Sequence, residues 1–220
     1  MIKVVVFDFD GVLVDSNEAW ADIFNKAASS AGVKKNFTYD DIKPHYGKPY
    51  VEVFKSAHPR FRQDSGVMEA MYSNFIRLAT QDDFSNSFRT IGGMKSMLGE
   101  LRKRYKLAVG SGNSRRLLDK FLKKLGLMRY FDMVVGGDDV KKGKPNPDML
   151  VKIIRHFGIQ PHEGVYVGDS EADILCAKSA SMKSVAVLTG ALDREQAEGL
   201  GPDCILEDAT KLREAIECMS

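Results

Sequence analysis

The chain has 220 residues, of which 44% are hydrophobic and 28% charged, and its formal net charge is +2. That length and apolar share suit one core domain, alone or carrying a smaller insert. The near balance of acids and bases, without a run of like charges, argues against nucleic acid or a membrane surface as partner.

Cys176, Cys204 and Cys218 are far apart and form no CxxC pair, so neither a disulfide framework nor a zinc site is expected. Reduced thiols suit the cytoplasm. The opening MIKVVVFDFDG is too short in apolar residues, and too acidic, for a signal-peptide core. No apolar stretch reaches the roughly 18–20 residues that span a bilayer.

In chain order, Ile2–Phe9 is a run of β-branched and aromatic residues. It predicts a buried parallel strand with Asp8 and Asp10 at its C-terminal end. From Ser16 to Phe88 helical patterns dominate, as in Ala19–Ala31 and Val67–Ala79, and this stretch reads as a helical insert. Ile91–Arg104 predicts a helix and Lys106–Val109 a strand. Leu117, Leu118, Phe121, Leu122 and Leu125 then share one helix face, with Gly126 as the stop. Met133–Val135 predicts a strand. Asn146 is expected to cap a helix that opens at Pro147 and ends at Gly158. Val165–Val167, Ser184–Leu188 and Cys204–Leu206 complete the strands. The predicted class is α/β: a Rossmann-like parallel sheet with helices on both faces, plus an inserted α-helical cap. The expected division is a core of residues 1–15 and 89–220 and a cap of residues 16–88.

Ligands of such sheets bind beyond the carboxyl ends of the strands. That rule selects Asp8/Asp10, Ser111/Asn113, Lys144 and Asp169/Asp173. Gly11 permits a turn that brings both Asp8 and Asp10 to one site. Crowded carboxylates repel unless a cation neutralises them, and hard oxygen ligands favour Mg2+. Lys144 offers positive charge to a phosphoryl group. The Ser111 hydroxyl, the amides after it and those opening the helix at Ser114 offer donors. A carboxylate nucleophile would split hydrolysis into two steps, with a second acid moving the protons. Asp173 is ambiguous, because Ser170 followed by an acid three residues on is also a capping box.

DFDGVLVDS at Asp8–Ser16, Ser111 after a strand, Lys144 in GKPNPD and GDSEAD at Gly168–Asp173 together resemble the four motifs of the haloacid dehalogenase superfamily, in order. The insert resembles that superfamily's helical cap. The resemblance implies Asp8 as nucleophile and Asp10 as general acid/base. It implies Mg2+ held by Asp8, the Asp10 carbonyl and Asp169, with Asp173 beside the metal or steadying Lys144. Ser111, with Gly112 and Asn113, and Lys144 would bind the phosphoryl group. The motifs are most similar to those of phosphoglycolate and sugar-phosphate phosphatases, which implies a small phosphorylated metabolite as substrate and a monomer or homodimer. Asp10 argues against dehalogenation, and Gly168-Asp169 differs from the Glu-Asp of β-phosphoglucomutase-like members. The first alternative is nevertheless a β-phosphoglucomutase-like phosphotransferase; a phosphonatase-like use of Lys48 and a non-catalytic binding protein come after it. Residues 45–50, including Lys48, are candidates for choosing the substrate. Asp15 and Ser16 read as the hinge, Trp20 and Phe24 as cap packing, and His58 as non-catalytic.

Overall fold

The computed structural model describes residues 1–43, 50–81, 84 and 86–219. Lys48 and its neighbours in residues 44–49 therefore lie outside the described residues. The core holds β1 (Val4–Phe7), β4 (Lys106–Gly110), β5 (Met133–Val135), β6 (Gly164–Gly168), β7 (Lys183–Val187) and β8 (Cys204–Leu206). They form one parallel sheet in the order β5-β4-β1-β6-β7-β8. Two short strands, β2 (Val14–Asp15) and β3 (Arg89–Thr90), pair antiparallel outside it.

Strand β1 is wholly buried because both of its faces are covered. Val5 and Phe7 join the larger apolar cluster, with Leu98 of α6 (Met94–Leu101) and Phe121 of α7 (Arg115–Lys124). Val4 and Val6 point the other way, toward Leu150 and Ile153 of α8 (Asp148–Phe157) and Cys176 and Ala177 of α9 (Glu171–Ser179). Helices α10 (Arg194–Leu200) and α11 (Leu212–Met219) follow β7 and β8.

β1 sits at the topological switch, since the chain runs to one side through β4 and β5 and to the other through β6 to β8. Phe7 lies in register with both Val109 and Val167. The residues after these three strands therefore emerge at one edge. β1 stops two residues earlier than its apolar run predicts. Gly11 adopts φ +69° and its N–H donates to Val14 O, so the chain turns there.

Between β2 and β3 lie α1 (Asn17–Ser30), α2 (Tyr39–Ile42), α3 (Tyr50–Ala57), α4 (Arg60–Gln63) and α5 (Ser65–Ala79). Trp20, Ile23, Phe24, Ala27 and Ala28 form the buried stripe of α1. The interior of this helical unit is aromatic. Phe24 meets Phe37 and Phe54 edge-on, at 4.9 and 5.5 Å between ring centroids. His58 packs against Phe37 and Phe61, away from the strand ends.

One cap differs from expectation. Helix α8 begins at Asp148, with Pro147 rather than Asn146 in the capping position. The Asn146 amide instead donates back to Gly143 O at 3.2 Å, which closes the preceding turn. Among the described residues no helix is long and apolar enough to cross a membrane.

Phe121 ties the sheet to the base of the helical unit, stacking on Phe9 at 5.9 Å and touching Phe88 at 4.7 Å. Phe121→Ala should destabilise the protein by roughly 3–5 kcal/mol, measurable by urea denaturation. A loss below about 1 kcal/mol would contradict this packing role.

Candidate active site

The edge of the sheet collects a buried polar cluster. Asp8, directly after β1, is only 6% exposed. The Lys144 ammonium lies 2.9 Å from its Oδ1 and 2.6 Å from Asp173 Oδ1. The contact with Asp8 is an ion pair without directed hydrogen-bond geometry, so Asp8 Oδ1 accepts no hydrogen bond. Lys144 comes from the long loop after β5, and its side chain is fully buried.

Asp173 is held at both oxygens. Oδ1 receives Lys144 and lies 2.9 Å from the Tyr166 hydroxyl, while Oδ2 accepts from Ser170 N and Ser170 Oγ. It therefore caps α9, as its spacing from Ser170 allowed, and also pairs with Lys144. Gly168 is required there, because a Cβ would lie 2.2 Å from Asp173 Cβ.

Asp169 is fixed from its other side. Its Oδ2 accepts from Ala191 N at 2.8 Å, and its carbonyl accepts from Leu192 N at 2.8 Å. The carboxylate is wedged between Gly11 and Gly190, where added Cβ atoms would come within 2.5 and 1.8 Å of Oδ2. The Thr189 hydroxyl donates to Gly11 O and closes the same contact.

Asp10 lies across the cleft. Its Oδ1 accepts from Ser16 Oγ at 2.5 Å and from Trp20 Nε1 at 2.6 Å. Its Oδ2 accepts from Asn113 Nδ2 at 2.5 Å. Asn113 Oδ1 in turn accepts from the Tyr50 hydroxyl, so α1 and α3 both reach the core at this acid. Ser111 is buried beside Asn113, and Gly112 lines the cleft with them.

The structure thus brings together Asp8, Asp10, Ser111, Gly112, Asn113, Lys144, Asp169 and Asp173. Lys144 is held between Asp8 and Asp173, its ammonium 2.9 Å from Asp8 Oδ1. One expectation changes. The amide of Arg115, at the opening of α7, is not open to an anion, because it donates to Asp138 Oδ1 at 2.6 Å. Sequence reasoning missed the polar role of Trp20, whose spacing is that of a core residue. It also missed Gly190 and Ala191, although they follow a strand end and fall under the rule that selected the other positions.

The charges are strongly perturbed. Burial pushes Asp8 up to about 7; Lys144 opposes this, while Asp173 and Asp10 add to it. Burial, with Asp173 and Asp8 nearby, raises Asp169 well above the carboxylate range. Burial also raises Asp10, against the hydrogen bonds from Ser16, Trp20 and Asn113. For Lys144 burial favours the neutral amine, but Asp173 and Asp8 outweigh it and hold the ammonium.

Oxygens of Asp8, Asp169 and Asp173 lie within 4.8 Å of one another. A lone lysine does not neutralise this set. An all-oxygen donor set with surplus negative charge and an acceptor lacking a hydrogen bond fits a hard divalent cation. Asp8 and Asp169 are the available ligands, since both oxygens of Asp173 are already engaged.

A family model described as haloacid dehalogenase-like hydrolase matches residues 5–187. The chain belongs to this family and is a hydrolase. It is 30% identical to a phosphoglycolate phosphatase of Chromobacterium violaceum over 215 residues, covering 96% of this chain and 95% of that one. It is 27% identical to the pyrophosphatase PpaX of Bacillus velezensis over 212 residues, covering 96% and 94%. A haloacid dehalogenase-like family hydrolase from Streptococcus pneumoniae shares the fold with a TM-score of 0.82, at 18% identity and 98% coverage of both chains.

Gly190→Ala should displace the Asp169 carboxylate. The expected result is roughly tenfold or greater weakening of Mg2+ binding in calorimetry, with the global fold retained. Unchanged Mg2+ affinity would reject the wedge.

The protonation of Asp8 gives a second test. With an unfolded value of 3.8 and a folded value of about 7, the folded state binds more protons between them. The stabilisation is therefore full below the lower value and is lost as pH rises through the higher one. Metal-free Asp8→Asn should gain stability relative to metal-free wild type as pH rises from about 4 to about 7. Urea denaturation across that range checks it, and a constant difference would contradict it.

Proposed function

We propose that this hydrolase is a magnesium-dependent phosphatase of small phosphomonoesters that works through an aspartyl phosphate on Asp8. The observation that carries the reading is the pairing of two unlike carboxylates across one cleft. Asp8 is buried, with an oxygen that accepts no hydrogen bond, while Asp10 is held by three donors.

In the first step an Asp8 oxygen attacks phosphorus and the bond to the leaving oxygen breaks. Asp10 delivers a proton to that oxygen, and the alcohol departs. In the second step Asp10 takes a proton from water as the water oxygen attacks phosphorus. The Asp8–phosphorus bond breaks, releasing phosphate and restoring the Asp8 carboxylate and the acid form of Asp10. Burial raises Asp10 toward the acid form that the first step uses, against the hydrogen bonds from Ser16, Trp20 and Asn113.

Lys144 orients Asp8 and supplies positive charge behind it, and Asp173 and Tyr166 fix Lys144 from the rear. Ser111 and the backbone around Gly112 offer donors to the phosphoryl oxygens from the other wall. Asp8 and Asp169, with the Asp10 carbonyl that the family resemblance implies, would hold Mg2+, which supplies charge neutralisation for the phosphoryl oxygens. The indole of Trp20 couples the helical unit to the acid, so closure of that unit over substrate would also set the position of Asp10. The three unpaired cysteines suit a cytoplasmic enzyme.

Asp8→Asn should lower kcat on the order of 10³-fold or more while the circular dichroism and melting transition remain cooperative. In parallel, chelation should silence the wild type and Mg2+ should restore it. Retained turnover in the variant would sink the nucleophile assignment.

A further inference from the structure

Trp20, Phe24, Tyr50, Phe54 and Phe75 line the cleft from the helical unit, and of these rings Trp20 and Tyr50 carry a polar atom. Both atoms are committed to one network. The Trp20 N–H donates to Asp10 Oδ1. The Tyr50 hydroxyl donates to Asn113 Oδ1, and Asn113 Nδ2 donates to Asp10 Oδ2. Asn113 therefore stands between Tyr50 and the proposed proton carrier.

Asn113 is buried and engaged at each of its polar atoms. Its backbone N–H donates to Ser111 Oγ at 3.4 Å, and its carbonyl accepts from Gly137 N at 2.8 Å. Its Nδ2 reaches Asp10 at 2.5 Å and lies 3.5 Å from Ser111 Oγ. Gly137 sits so close to this loop that an added Cβ would lie 2.5 Å from Gly112 O. The loop after β1, helix α3 and the turn after β5 thus all hold Asn113 in place. By donating to Oδ1, the Tyr50 hydroxyl keeps the amide nitrogen turned toward the acid.

The two oxygens of Asp10 are unequally occupied. A carboxylate oxygen has room for about two hydrogen bonds. Oδ1 has both, from Ser16 and Trp20, while among the described residues Oδ2 accepts from Asn113 alone. Oδ2 therefore keeps the lone pair on which a transferred proton can sit. It also shares the Asn113 nitrogen with Ser111, the hydroxyl proposed to bind the phosphoryl group. Misplacing a reacting group by about 1 Å can cost on the order of 10²-fold in rate, so the donor that aims Oδ2 matters.

We infer that Asn113 is a positioning residue for the proton transfer: its Nδ2 aims Asp10 Oδ2, the atom that gives a proton to the leaving oxygen and later takes one from water. Tyr50 holds the amide in that orientation. The side chain of Asn113 serves the acid and not the phosphoryl group. The inference rests on the phosphatase reading and adds a residue to its proton step.

The test is the kinetics of Asn113→Ala on the Mg2+-loaded full-length enzyme, with para-nitrophenyl phosphate, phenyl phosphate, and inorganic phosphate as inhibitor. Phenolate is the more basic leaving group and needs the proton more. On phenyl phosphate kcat/KM should fall roughly tenfold or more, and on para-nitrophenyl phosphate by less than about threefold. On para-nitrophenyl phosphate kcat itself should fall roughly tenfold, because activation of water slows, while the inhibition constant for phosphate stays within about twofold. Tyr50→Phe removes only the hydroxyl; it should show the same split at roughly threefold, and it carries the test if Asn113→Ala does not fold. Phosphate inhibition weakened in proportion to kcat would make Asn113 a phosphoryl ligand and overturn the inference. Equal losses of kcat/KM on the two esters, or unchanged kinetics, would overturn it as well. If the wild type shows no Asp8-dependent turnover of either ester, the phosphatase reading itself falls and takes this inference with it.

Discussion

The Lys144 ammonium, buried between Asp8 and Asp173, is the interaction on which the site depends. It joins three separate pieces of chain: the end of β1, the loop after β5 and the first turn of α9. Desolvating these charges is costly, and removing one partner of such a group typically costs about 3–5 kcal/mol, because an uncompensated charge is left behind. The surrounding structure therefore satisfies Asp173 completely, through Tyr166 and Ser170, and leaves Asp8 incompletely satisfied.

Asp10 is a second centre, and its partners come from elsewhere. Ser16 and Trp20 approach from the end of β2 and from α1, and Asn113 comes from the loop after β4. Tyr50 extends the chain of contacts into α3. The helical unit thus meets the core at the residue proposed to move protons. The cleft that results has a polar floor, built for a phosphoryl group, and an aromatic roof.

Much of the floor was legible in the sequence, for a reason that lies in parallel sheets. Each strand is a short apolar run, and functional residues follow its C-terminal end, so the runs themselves pointed to Asp8, Ser111 and Asp169. Lys144 was legible through its motif. Positions that act through contact were harder to see. Trp20 has the spacing of a core residue and is one, and only its N–H, aimed at Asp10, distinguishes it. Gly190 matters because a carboxylate from a different strand end fills the place of its missing side chain. No local pattern records that approach.

By itself, the sequence determined the α/β class, the family and the set of residues with the chemistry for phosphoryl transfer, because periodicity and motif spacing are local properties of the chain. The tertiary structure decided how the charges are shared: Asp173 goes to Lys144 and the α9 cap, Asp169 is pinned between Gly11 and Gly190, and Asp10 is bound to the helical unit. It also decided that an aromatic wall faces the acids. These outcomes depend on which strand ends and helix faces meet in space, and burial then fixes the energy of each charge by what it meets.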